Sequence, residues 1–360
     1  MNYYEKYREI IDAYPSGAPA SPAFSEIIRI LFTPEEIRVA AHMNFLMKTA
    51  EEIATKVALP AEEVNGLLQA MANKAVINSM EKNGKWLYAL LPTVPGIFET
   101  SFIHGRITPT QQKLAMLWHE YNEGGMIQSL AGEPTPQIRV IAVDKALPHE
   151  VLIHPYDEVS QLIKNATFIS VGTCACRASE GKCRAPREVC LIFGSLGKVL
   201  VERKLAREAT QEEAMAILDT AEKSGLVHQS NNSSDKASII CNCCPCCCHF
   251  LRGLIEFNNP NSIAKSRFQA AIDRGKCTDC GICYEERCHF GAIRSENAGI
   301  AIDAGKCVGC GLCVSTCATE ALYLETRPDP PAVPKTMQEM IFAMLQEKGK
   351  LSRFTEIMQK

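Results

Sequence analysis

The first 173 of the 360 residues contain no cysteine, and 38 Lys/Arg against 41 Asp/Glu leave a formal charge of only −3. So small a charge excludes a general electrostatic pull toward nucleic acid or anionic membrane. No run of about eighteen apolar residues occurs, so no membrane-spanning helix is expected. The opening MNYYEKYREI is charged and aromatic, with no apolar stretch before a cleavage site. A signal peptide is therefore not expected, and a cytoplasmic, oxygen-poor setting is. No glycine-rich dinucleotide loop and no CxxCH are present, so electrons would have to come from and go to other molecules. What the chain does have is 18 cysteines, all between Cys174 and Cys317. Its length suggests two or three domains, and 46 % apolar content suffices for their cores.

The heptapeptide AIDRGKC (271–277) returns as AIDAGKC (301–307), and each copy opens a cysteine run. A repeat of this period marks a duplicated structural unit. The first run is Cys277, Cys280 and Cys283, then Cys288; the second is Cys307, Cys310 and Cys313, then Cys317. Thiolates at i, i+3 and i+6 on a tight loop suit three corners of an iron–sulfur cube. Gly281 and Gly311 fall inside the triplets, where backbone must approach a cluster and adopt positive φ. Structural zinc favours paired cysteines with longer spacers, and a disulfide framework needs an oxidising compartment.

On these motifs residues 267–326 resemble the bacterial two-cluster ferredoxins, over about a sixth of the chain. The resemblance implies a βαββαβ-like unit with two 4Fe–4S clusters, each borrowing its fourth ligand from the other run. One would use Cys277, Cys280, Cys283 and Cys317, and the other Cys307, Cys310, Cys313 and Cys288. It implies a low potential, roughly −400 mV. Short strands are expected at 267–272, 300–302 and 321–325. Two features depart from the family. Four residues (Tyr284, Glu285, Glu286, Arg287) separate Cys283 from Cys288 where three are usual, and His289 and Ala318 replace the proline after each fourth cysteine.

The fold expected is α+β and multidomain. After an arm (1–33) with Pro15, Pro19 and Pro22, residues 34–91 read as three helices and a hairpin. Thr33-Pro34-Glu35-Glu36 starts the first helix, and Lys82-Asn83-Gly84-Lys85 turns the hairpin. That order resembles a winged helix-turn-helix domain. Its charge does not resemble a DNA reader: residues 34–91 carry seven Asp/Glu and six Lys/Arg, and Glu62 and Glu63 open the third helix. Protein contact or dimerisation is the preferred use, with DNA as the alternative.

Residues 92–260 read as a mixed α/β cysteine-rich domain, with strands at 138–143 and 168–171. Thr210-Gln211-Glu212-Glu213 signs a capping box, and the helix after it puts Ala214, Ile217, Leu218 and Ala221 on one face. Cys174, Cys176, Cys183 and Cys190 lie among Arg177, Lys182, Arg184 and Arg187, cations suited to an anionic cluster. A zinc site or an incidental basic loop are the alternatives. Then comes CNCCPCCC: Cys241, Cys243, Cys244, Cys246, Cys247 and Cys248. Pro245 suits the first turn of a helix running through Phe250, Leu251, Leu254 and Ile255. His249 reads as a surface group or a ligand. Ten cysteines suffice for one or two further clusters with two or more thiols left over. The ferredoxin-like unit (261–327) is followed by a linker and terminal helix (328–360) striped by Met337, Met340, Ile341, Met344 and Leu345.

Together these features point to an iron–sulfur electron carrier serving a redox protein or oxidoreductase complex. A redox-sensing transcription regulator, and an oxidoreductase acting through the CNCCPCCC region, are the competing readings.

Overall fold

Helix-start chemistry organises the amino-terminal third. In the computed structural model, which describes residues 2–148, 153–296 and 299–359, α1 (Tyr3–Asp12) and α2 (Pro22–Leu31) precede α3 (Pro34–Ala40), α4 (Ala50–Val57) and α5 (Ala61–Asn73). Thr33 and Thr49 each close a full capping box, with Glu36 and Glu52 respectively. The hairpin β1 (Ile77–Lys82) and β2 (Lys85–Leu90) turns at Asn83 and Gly84, both at positive φ (54° and 73°), as a two-residue type I′ turn requires.

The hairpin docks on its own chain. Arg203 lies over the Trp86 ring at 5.4 Å and donates to Ser79 Oγ at 2.8 Å. The methionine stripe does likewise: in α14 (Met337–Glu347) Met340, Met344 and Leu345 are buried, and with Met80 and Leu91 the two methionines line a partly open hollow. The terminal segment forms a second helix as well, α15 (Leu351–Gln359), whose Phe354 stacks on Phe45.

Between these ends run α6 (Phe98–Thr100), α7 (Pro109–Tyr121), α8 (Ile127–Ser129), β3 (Ile138–Val140), α9 (Val159–Lys164), β4 (Ile169–Thr173), α10 (Ala175–Glu180) and β5 (Glu188–Phe193). They continue as α11 (Gly194–Glu202), β6 (Arg207–Glu208), α12 (Gln211–Lys223), β7 (Val227–Asn231), β8 (Ile239–Cys243) and α13 (His249–Ile255). One antiparallel sheet results, in the order β3-β7-β8-β5-β4-β6.

Strand alternation gives this sheet two different faces. Val171, Leu191 and Ile240 stand side by side and pack with Ile163 of α9 and with Ala214 and Leu218 of α12. One residue along, Gly172, Cys190 and Cys241 occupy the other face. Gly172 has to be glycine there, since a Cβ would stand 2.4 Å from Ile103 Cγ1. The expected capping box of α12 is half made. Thr210 accepts from the Glu213 N–H, but the Glu213 carboxylate pairs with Arg207 at 2.5 Å instead of reaching back. The strand expected at 138–143 stops at Val140, and the Val143 N–H is instead given to the Cys310 carbonyl at 3.0 Å.

The last unit has two small sheets. β9 (Phe268–Ile272) pairs with β12 (Leu322–Thr326), and β10 (Ile293–Glu296) with β11 (Gly299–Ile302), both antiparallel.

Candidate metal centres

The heptapeptide repeat recurs because its aspartate builds the same turn twice. Asp273 Oδ1 accepts from the Gly275 N–H at 2.9 Å, and Asp303 Oδ1 from the Gly305 N–H at 2.9 Å. Each turn delivers its cysteine loop in the same conformation. Asp279 and Gly281 are at φ 51° and 85°, and Gly309 and Gly311 at 75° and 78°.

Two hollows result. One is lined by Cys277, Cys280, Cys283 and Cys317; the other by Cys288, Cys307 and Cys310; Cys313 borders both. Each triplet thus meets the fourth cysteine of the opposite run. The extra residue of the first run is absorbed in a π turn, Cys283–Arg287, closed by the Cys288 N–H on the Cys283 carbonyl at 3.0 Å. In the second run the Cys317 N–H closes a shorter turn on Val314. Backbone N–H groups of Asp279 and Ala270 point at Cys277 Sγ and Cys307 Sγ, each at 3.4 Å.

His289, and Arg287 of the longer spacer, have a structural reason. Arg287 is buried and donates to the carbonyls of Leu312 (3.3 Å), Lys223 (3.4 Å) and Glu222 (2.8 Å), while His289 Nε2 donates to the Gly225 carbonyl at 2.7 Å. Both residues clamp the first run onto the carboxyl end of α12. Cys307 and Cys313 are buried against the rest of the chain, whereas Cys280 is exposed. The Cys307 hollow is thus the inner of the two and the Cys280 hollow the outer.

The ten central cysteines sort differently from their order in the chain. Cys183 leaves its sequence neighbours and joins Cys244, Cys246 and Cys247, all four sulfurs lying within 4.8 Å of one another. The other six make thiol-to-thiol contacts in a chain, Cys174–Cys176–Cys248–Cys243–Cys241–Cys190. Adjacent strands set Cys190 across from Cys241, with Cys243 two residues further on the same face. Cys174 caps α10 and Cys248 caps α13, which brings Cys176 and Cys248 over that face. Cys174, Cys176, Cys190 and Cys241 are half-buried and Cys243 and Cys248 buried, so the six thiols form one chamber-like cluster.

The helix expected from Pro245 begins only at His249. Residues 245–247 form a turn instead, which folds Cys244, Cys246 and Cys247 back toward Cys183. His249 is not a surface group. It is buried against Phe98 (ring centroids 4.5 Å apart), with Nε2 2.9 Å from Asn122 Nδ2 and 3.8 Å from Glu180 Oε1.

Charge is distributed to suit anionic sulfur. Arg177 is fully buried between the two sets, donating to the Asn242 carbonyl at 2.9 Å and to Cys244 Sγ at 3.6 Å. Its Nε and Nη2 have no hydrogen-bond partner among the described residues. Burial opposes that charge, but the neighbouring sulfurs of Cys174, Cys244 and Cys243 hold the guanidinium firmly protonated. Cys244 is drawn down to about 5 by the thiol of Cys247 and by Arg177, against burial. A buried cation with idle donors, facing ionisable thiols, is the environment that metal-bound thiolates need. Glu99 approaches the six-thiol chamber from α6. Burial raises its carboxyl to about 8, the Gly96 N–H opposes this, and Cys241 and Cys248 add to it. No motif marks Glu99; it stands outside every cysteine run and reaches the chamber only through the fold.

Residues 300–323 match the family model of the 4Fe-4S binding domain. This is an iron–sulfur, ferredoxin-type segment. The match spans β11 and the second cysteine run through Cys317. No curated protein and no solved structure matches the chain. No helix among the described residues is long and apolar enough to cross a membrane.

Proposed function

We propose that the chain is an iron–sulfur electron carrier with two 4Fe–4S clusters in the crossed cradles and a further cluster in the six-thiol chamber. The observation that carries this reading is the pair of hollows, each combining three cysteines of one run with the fourth of the other. The donors fit such a group: all are thiols, and no three of the eight lie within 4.8 Å of one another, leaving room for a cube between them. Each cluster, when bound, takes up and releases one electron without making or breaking a bond to substrate. The protein's share is to bury the inner cradle, to aim an N–H group at one sulfur of each cradle, and to hold the inner one against α12. The exposed cradle beside Cys280 is where a redox protein would exchange electrons, and the internal one relays toward the central thiols. Docking of the hairpin through its own Trp86 onto Arg203 favours its use in protein contact over DNA.

Anaerobic iron and sulfide quantitation with EPR tests the reading. Two filled cradles require about eight irons, and the chamber adds about four more. Cys317→Ser should perturb the signal of the solvent-facing cluster and Cys288→Ser that of the internal one. Loss of the same signal in both variants, or absence of iron from the parent, would overturn it.

A second reading, an oxidoreductase acting at the chamber, draws on Glu99. A carboxyl that still holds its proton near neutral pH beside six thiols is a proton source where a cube takes only four ligands. It requires substrate-dependent turnover that Cys→Ser changes at Cys241 or Cys248 abolish while the ferredoxin-type spectra persist.

A further inference from the structure

We infer that Cys183, Cys244, Cys246 and Cys247 bind a single zinc ion, in a closed structural site separate from every cluster. The argument is one of size. With Zn–S bonds of about 2.3 Å, a tetrahedral four-thiolate site has edges of about 3.8 Å. Here Cys183 Sγ lies 3.7 Å from Cys244 Sγ and 4.0 Å from Cys247 Sγ, and Cys246 Sγ lies 3.7 Å from Cys247 Sγ. A cube would stand between its four thiolates and hold them farther apart. The same chain supplies the contrast: among the described residues no other set of three or more cysteine, histidine or carboxylate ligands is gathered this tightly, the eight cradle thiols and the six chamber thiols included.

The surroundings fit a structural ion. Val189, Ala221 and Leu226 pack over buried Cys244 and Cys247, and four protein ligands leave no position open for water. Four thiolates around a divalent ion leave a net negative site. Arg177 stands against it with Nη1 3.6 Å from Cys244 Sγ and with two donors otherwise idle. The ion would tie the loop after α10 to the turn before α13. These two helices also carry Cys176 and Cys248 to the chamber, so zinc here would position the chamber's ligands without exchanging electrons. The tie explains why so many cysteines crowd into 241–248: that one segment serves two centres, three thiols to the ion and three to the chamber.

The test is metal analysis of the whole chain, purified without oxygen, with X-ray absorption at the zinc edge. About one zinc per chain is expected, in a shell of four sulfurs at about 2.3 Å. Cys246→Ser changes a half-buried ligand of the site and should reduce bound zinc at least tenfold while leaving cradle EPR signals in place. Growth with cobalt gives a second measurement on the unaltered sequence, with the absorption of a tetrahedral four-thiolate Co²⁺ site expected. A parent protein without zinc, or one in which Cys246→Ser removes about four irons and no zinc, would overturn the inference. Neither result would touch the crossed cradles, whose test is their own iron.

Discussion

Replacing Arg287 by alanine separates the docking of the ferredoxin-type unit from its metal chemistry. The guanidinium makes three bonds to main-chain carbonyls, and hydrogen bonds involving a charged group contribute about 1.5–3 kcal/mol each. Two of them, to Leu312 at 3.3 Å and Lys223 at 3.4 Å, are long, so the bond to Glu222 at 2.8 Å dominates. The positive charge also faces the carboxyl end of α12, worth about 0.3–1 kcal/mol more. His289 keeps its bond to Gly225 and limits the loss. The net is a docking contact weakened by about 2–4 kcal/mol, which is about 30- to 1,000-fold in the equilibrium for local opening. Hydrogen exchange reads this directly, at the amides of 283–293 and of the last turn of α12. Arg287→Lys keeps the charge but not the planar fork, and should recover no more than the helix-end share of about 1 kcal/mol. If exchange in Arg287→Ala rises less than about threefold, or rises equally across the whole sheet, the clamp is not what holds the internal cradle in place.

Gly309→Ala should empty the internal cradle. The residue sits at φ 75°, and a Cβ would fall 2.1 Å from the Phe268 carbonyl oxygen, which β9 cannot vacate. Gly281→Ala, at φ 85° but with nearest atoms at 3.2 Å on the flexible Glu285 side chain, should cost only about 1–2 kcal/mol of backbone strain and keep its iron. Equal iron in the two variants contradicts this ordering. His228 makes a prediction about pH. It is buried, its Nδ1 donates to Asn242 Oδ1 at 2.6 Å, and burial lowers its pKa from 6.5. The unfolded chain therefore binds the proton first, and stability falls as pH drops below 6.5, by up to about 1.4 kcal/mol at pH 5.5. Comparing unfolding at pH 7.5 and 5.5, His228→Gln should lose that share of the pH dependence; an unchanged slope would rule it out.

What could be read from the residues, and what could not, follows from how far apart in the chain each site's parts lie. The cradles were legible because Asp273 and Asp303 build their turns within two residues, and because the triplet spacing is itself the geometry of the loop. Even the extra residue after Cys283 was visible, although its consequence was not. The π turn returns Cys288 to its partners, and two of the residues that depart from the family pattern, Arg287 and His289, reach the end of α12. The central cysteines could be counted but not partitioned. Cys174 and Cys176 suggest a strand pair, yet Cys174 closes β4 and caps α10, so the two thiols sit on a helix start. Cys183 leaves Cys174, Cys176 and Cys190 for a turn some sixty residues later, and Cys190 finds Cys241 only because β5 and β8 are adjacent in the sheet. Strand order is a property of the whole fold, and no window of sequence around either cysteine contains it. The same limit hid Glu99 and buried His249, whose neighbours Phe98 and Asn122 come from segments with no motif. Local chemistry in this chain therefore marks which atoms are suited to bind metal, while long-range pairing decides which of them are brought together. Cys190→Ser and Cys183→Ser, seven residues apart, should consequently affect two different centres.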